Sequence, residues 1–182
     1  MLGLVFTEFL EMVEQAYSLD MVDELIEENN LASGGAYTSV GLYQAGEMLA
    51  LVTALSDKTG TPVDELVRAF GHHLMTRFVA LYPEFFKTDT GTFGFLQSID
   101  DHIHVEVAKL YSNARLPRIE TQLCNGSTLV LDYFSHRPMA DLAMGLIEAA
   151  IKHYGESIVI SRESFEAGQG HHERFTLVRQ SS

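Results

Sequence analysis

Residues 118–135 read RIETQLCNGSTLVLDYFS, and this stretch decides the fold class. Arg118–Cys124 and Thr128–Ser135 have the length and β-rich composition of strands. Between them stands Asn125-Gly126, the strongest short hairpin signal. Downstream, Pro138 opens a helix that closes at Gly155. Residues 157–164 and 174–180 then read as two further strands, joined by a glycine-rich loop. Upstream of Pro117 the texture is helical. The order is therefore helices, then strand–strand–helix–strand–strand, which predicts an α+β fold with a four-stranded antiparallel sheet.

The helical part divides at its punctuation. Leu2, Val5, Phe6, Phe9, Leu10 and Val13 recur at three- and four-residue spacing, with glutamates between them. Asp20 is expected to cap a second, acidic helix over residues 21–30, and Gly34-Gly35 ends that unit. Leu49, Val52 and Leu55 mark a third helix, stopped near Gly60. Thr61 as N-cap, Pro62 at the first helical position and Asp64 start a fourth. Its apolar face runs Val63, Leu66, Val67, Phe70, Leu74, Phe78, Leu81, and Pro83 limits it. From about Thr90 to Leu110, Phe93, Leu96, Ile99, Ile103, Val107 and Leu110 predict another helix.

Composition excludes several functions. The chain has 182 residues, 46% hydrophobic and 20% charged, as expected of a folded protein. Its net charge of −13 repels nucleic acid and anionic membranes, so neither is an expected partner. The one cysteine, Cys124, rules out an internal disulfide, a four-cysteine metal site and covalent haem attachment. It is expected to be a small buried or half-buried hydrophobe. No segment has the ~18–20 apolar residues of a membrane span, and residues 1–17 lack the basic start of a signal peptide. A cytoplasmic protein is expected.

Walker A, G-x-G-x-x-G and H-E-x-x-H motifs are absent. Of the eight histidines, neighbours such as His72 and His73 point ~100° apart on a helix and cannot share a metal. His171-His172 are expected in a loop, and His136 and His153 at the surface. At most one of His102 and His104 points inward; His104 lies closer to the face of Phe93, Leu96 and Val107. An inward imidazole needs a partner. Tyr133, Ser135 and Arg137 alternate along a strand and so face one way, a row of a phenol, a hydroxyl and a guanidinium. Taken singly, a satisfied core histidine and a polar sheet face explain these features. Taken together they match the two ends of a haem: an imidazole for iron and donors for the propionates, with 11 Phe and 7 Met to wall the porphyrin.

These residues lie in a longer pattern. Met1-Leu2-Gly3, VRAFGHHL around Phe70-Gly71, IDDHIHVEVAKLY from Ile99 to Tyr111, Pro117, Tyr133-x-Ser135-x-Arg137 and GLIEAA together resemble the H-NOX family, the haem-nitric oxide/oxygen binding domains that include the sensory domain of soluble guanylate cyclase. The resemblance covers essentially the whole chain. It implies one domain, residues 1–182, with a helical distal subdomain (about 1–60) packed over a proximal, haem-bearing part (about 61–182). It implies non-covalent haem b, with His104 as the proximal iron ligand. Tyr133, Ser135 and Arg137 would hold the propionates, and Pro117 would press on the porphyrin. The matching distal positions are Val5, Phe9, Leu74, Phe78, Leu142 and Leu146, all apolar. Oxygen-binding members carry a tyrosine where this chain has Leu142. Bound O₂ draws charge from iron and is held by a hydrogen bond, whereas NO needs no donor, so the expected gases are NO and CO.

In the family, NO weakens or breaks the iron–histidine bond and the freed helix relays the signal. Some bacterial members carry a cysteine cluster in the C-terminal part that binds zinc or senses oxidation. The stretch SRESFEAGQGHHE here has no cysteine, so that site is not expected. With no output domain in the sequence, a separate histidine kinase or diguanylate cyclase/phosphodiesterase is the implied partner, and the protein is expected not to be an enzyme. The competing readings are a metal-dependent enzyme built on His102, His104, Asp100, Asp101 and Glu106, which needs a strand there, and a metal-free carrier of an apolar ligand.

Overall fold

The computed structural model describes residues 1–87, 90–111, 115–166 and 170–180. Helix α1 (Gly3–Ala16) buries Phe6, Phe9 and Val13. Helix α2 (Leu19–Glu27) is capped by Ser18, whose Oγ accepts the Met21 N–H at 3.1 Å. The expected cap, Asp20, instead lies in its first turn, where its charge suits the helix dipole. Helix α3 (Ala45–Thr59) ends at Gly60 in the left-handed conformation. Helix α4 (Val63–Leu81) starts one residue later than expected, with Pro62 as its cap residue. It buries Leu66, Phe70 and Leu74, but Leu81 is exposed at the helix end.

The stretch expected as one helix from Thr90 to Leu110 is three: α5 (Gly91–Ser98), a π-turn (Ile99–Ile103) and α6 (His104–Leu110). The Leu110 side chain lies outside the described residues. A π-turn inserts one residue into the ladder, and such insertions recur at functional sites.

Strands β1 (Arg118–Cys124) and β2 (Thr128–Ser135) pair antiparallel, joined by a turn in which Asn125 Oδ1 accepts the Ser127 and Thr128 N–H groups. Helix α7 (Ala140–Tyr154) follows, starting two residues after Pro138 and ending at Gly155. Strands β3 (Ile158–Phe165) and β4 (His171–Arg179) complete an antiparallel sheet of order β1-β2-β4-β3. The glycine-rich loop between them falls partly on residues 167–169, outside the described residues. His171 and His172 are strand residues rather than loop residues. His172 pairs with Phe134 and Phe165 across the ladder and stacks on both rings, at 4.3 and 4.8 Å. Cys124 is exposed, not buried.

Two apolar cores result. One gathers α1–α3 around Phe6, Phe9, Leu51 and Leu55, with Leu66, Phe70 and Leu74 from α4. The other lies between the inner sheet face and α5 and α7, around Leu129, Leu131, Tyr133, Phe175, Leu177 and Ala150. Phe78 and Leu146 pack against both. Helix α4 serves both cores because it crosses α7 almost backbone to backbone. A Cβ on Gly71 would stand 2.6 Å from the Leu142 carbonyl oxygen and 2.8 Å from the Leu146 nitrogen. One on Gly145 would stand 2.1 Å from the Arg68 carbonyl oxygen. Arg68 and His72 of α4 lock the crossing by pairing with Glu148 of α7. Gly71→Ala should therefore push α7 off α4, cost about 1–3 kcal/mol and lower Tm by roughly 3–10 °C. An unchanged melting curve would show that the crossing yields freely.

Candidate functional site

The proposed ligand histidine stands at the junction of the π-turn and α6. His104 is half-buried, and its Nδ1 lies 3.0 Å from Asp100 Oδ1. His102 is exposed. The helical backbone sends the two rings to different sides, so the strand that a metal site on both would need is not there. Among the described residues, no group of three or more His, Cys, Asp or Glu side chains could hold a metal ion. Ile99 and Ile103, on the turn that leads into His104, and Ile119 of β1 pack against the sheet core. Pro117 is half-buried and stands immediately before β1, in the segment that leads to Ile119.

Tyr133 faces that same core. It is buried, with its ring edge-on to Phe175 at 6.1 Å. Burial pushes the phenol pKa up, against the pull of its hydrogen bond with Ser135 and of the Arg137 charge, so the hydroxyl keeps its proton at neutral pH. Ser135 Oγ accepts the Arg137 backbone N–H at 3.1 Å. The Arg137 guanidinium donates to the Arg115 carbonyl at 3.1 Å, and among the described residues it makes no ion pair with a carboxylate. Only Tyr133 and Ser135 are strand residues: β2 ends at Ser135, and Arg137, expected on the same strand, stands in the bend beyond it. The row thus begins on the inner face of the sheet, not the solvent face, and ends in a half-buried cation without an anion among the described residues.

The six apolar residues expected on the distal side come together in the helical core. Phe9 and Leu74 are fully buried there, and Val5, Phe78, Leu142 and Leu146 pack against them half-buried. Phe78 and Leu146 border the core that holds Tyr133. No side chain in this set can donate a hydrogen bond. The donor chemistry fits a haem: an imidazole held at Nδ1 by Asp100, two hydroxyls and a guanidinium without a carboxylate partner among the described residues, and apolar side chains only partly covered by protein.

A cavity of about 500 Å³ lies elsewhere, between α3, the start of α4 and the turn at residues 136–141. Of the expected site residues only Arg137 lines it. Asp100 was not expected as a partner of His104. Its i,i+4 spacing carries that signal, but the same spacing is common on solvated helix faces.

The sequence profile of a family described as "Haem-NO-binding" matches residues 2–162. The crystal structure of the Fe(II) unliganded H-NOX protein from K. algicida is 34% identical, with a TM-score of 0.92 over 100% of this chain and 98% of that one. An H-NOX protein from S. oneidensis in the Fe(II)NO ligation state is 26% identical, with a TM-score of 0.89 over 100% of both chains. The soluble guanylate cyclase gcy-35 of Caenorhabditis elegans is 23% identical over 165 residues, 88% of this chain. The chain spans 24% of that relative's length.

Proposed function

The chain belongs to the haem-NO-binding family, and on that premise we propose that it is a nitric oxide sensor in which His104 holds a haem b and a separate protein receives the signal. Haem supplies, when bound, a ferrous iron that takes a diatomic gas. The observation that carries the reading is the meeting of the two cores. Tyr133 and the neighbours of His104 share one core, Val5, Phe9, Leu74 and Leu142 share the other, and Phe78 and Leu146 belong to both. A haem held there would draw on the His104 imidazole for its iron, on the donor-free apolar residues for its gas side and on Tyr133, Ser135 and Arg137 for its propionates.

The residues divide the work. His104 presents a nitrogen lone pair and, through α6, a lever. Tyr133 and Ser135 donate to propionate oxygens, and Arg137 supplies both a charge and a bidentate fork. Pro117, rigid in φ, would press on a bound porphyrin. Val5, Phe9, Leu74, Phe78, Leu142 and Leu146 keep water and donors from the gas. That wall favours NO and CO over O₂. On this reading the first ~60 residues are the distal subdomain and the rest the haem-bearing one, and no reaction is catalysed. Release of His104 from the iron would free α6, and the proposed receiver of that change is a histidine kinase or a diguanylate cyclase/phosphodiesterase in the cytoplasm. Among the described residues, no helix is long and apolar enough to cross a membrane.

The test is haem titration of the purified protein: uptake should saturate at one haem per chain with a Soret band. A colourless protein carrying zinc or manganese would instead favour a metalloenzyme, and a colourless metal-free one an apolar-ligand carrier. The edge donors are tested separately. A hydrogen bond involving a charged group contributes ~1.5–3 kcal/mol. Arg137→Ala should therefore speed haem loss to apomyoglobin by roughly 10- to 100-fold. Ser135→Ala should speed it less, since a neutral hydroxyl contributes only about 1 kcal/mol. Equal rates in the two variants would count against the assignment of Arg137.

A further inference from the structure

We infer that Asp100 is the positioning residue for His104, fixing which ring nitrogen the imidazole offers and how firmly it is held; this rests on the haem reading of His104. Asp100 sits inside the π-turn, four residues before the histidine. Its Oδ1 lies 3.0 Å from His104 Nδ1 and accepts the backbone N–H of Ile119 at 3.4 Å. An ionised carboxylate only accepts hydrogen bonds, so Nδ1 is the nitrogen that carries the proton. The neutral ring then has its lone pair on Nε2, the atom pointing away from the carboxylate and without a hydrogen-bond partner among the described residues.

The second contact gives the arrangement reach. Ile119 is two residues beyond Pro117, at the start of β1. One carboxylate oxygen therefore ties the histidine ring to the segment that carries the proline. The π-turn is part of this. The His104 N–H bonds the Ile99 carbonyl, five residues back, which leaves Asp100 facing the ring across the widened turn. A carboxylate on the far nitrogen of a ligating histidine raises the ring's basicity and sets its orientation. Asp100 thus sets the strength of the tether that a gas must strain, and its loss alters that strength without removing the ligand.

The test uses the haem-loaded protein and reads the iron–histidine stretch by resonance Raman, together with the rate of haem loss. Asp100→Asn keeps an oxygen at the same place but removes the charge, and should lower the stretching frequency while haem is retained. Asp100→Ala removes both contacts; it should lower the frequency further and speed haem loss by about 10-fold or more. Asp101→Asn, a neighbouring exposed acid, should match the wild type in both readouts. Wild-type frequencies in both Asp100 variants would overturn the inference, and Asp100→Asn gives the answer even if Asp100→Ala loses its haem. His104→Gly separates the two levels. If it retains the wild-type stretch, His104 is not the ligand and the reading beneath the inference fails. If it loses the stretch while both Asp100 variants keep it, only the role of Asp100 fails.

Discussion

His104→Gly is expected to purify without a Soret band and to take up haem only when imidazole is supplied in solution. The substitution removes a half-buried imidazole whose chain neighbours Ile99 and Ile103 pack against the sheet core. Removing a group that merely supports a ligand costs ~10–100-fold in metal affinity, and removing the ligand itself should cost more. His102→Ala is the control: its ring is exposed, so the spectrum should match the wild type. The opposite outcome, haem lost from His102→Ala and kept by His104→Gly, would mean that the π-turn places the ligand two residues earlier.

The second large effect is in gas choice. The ferrous protein in air should keep the spectrum of the unliganded form until it slowly oxidises, while NO and CO each shift its Soret band. The cause is the composition of the distal wall. Val5, Phe9, Leu74, Phe78, Leu142 and Leu146 offer no donor to a polarised oxygen. A hydrogen bond to a charged acceptor is worth ~1.5–3 kcal/mol, or roughly one to two powers of ten in affinity. Leu142→Tyr brings a phenol to that wall and should recover part of the O₂ affinity. The gain is limited by packing, because Leu142 lies on the α7 turn whose backbone touches Gly71. A stable oxygenated spectrum from the wild type would show that a donor such as Tyr17, Tyr43 or a trapped water reaches the pocket.

The parts of the fold legible in the sequence were those fixed by local chemistry. The hairpin at Asn125-Gly126 was readable because turn residues and strand alternation agree there, and its strands have the expected limits. The Tyr133, Ser135, Arg137 row was readable only in part: the period of two reaches Tyr133 and Ser135, but β2 ends there and Arg137 stands in the following bend. Three features resisted because nonlocal contacts decide them. His171-His172 looked like loop, flanked by glycine and glutamate, yet His172 is held in β4 by ring stacking with Phe134 and Phe165. The π-turn preserved the apolar spacing of residues 93–107, so the periodicity continued through it unmarked. Asp100 and His104 looked like an ordinary helical acid–base spacing. What sets Asp100 apart from an ordinary helical acid is the approach of β1, whose Ile119 N–H it accepts.

On the proposed function His104 holds a haem which responds to nitric oxide. The most direct test of this is the visible absorption spectrum of the haem-loaded ferrous protein before and after one equivalent of NO. The expected result is a Soret band of a five-coordinate, histidine-ligated ferrous haem that shifts completely on NO addition. A protein that takes up no haem, or a Soret band that NO leaves unmoved, would contradict it.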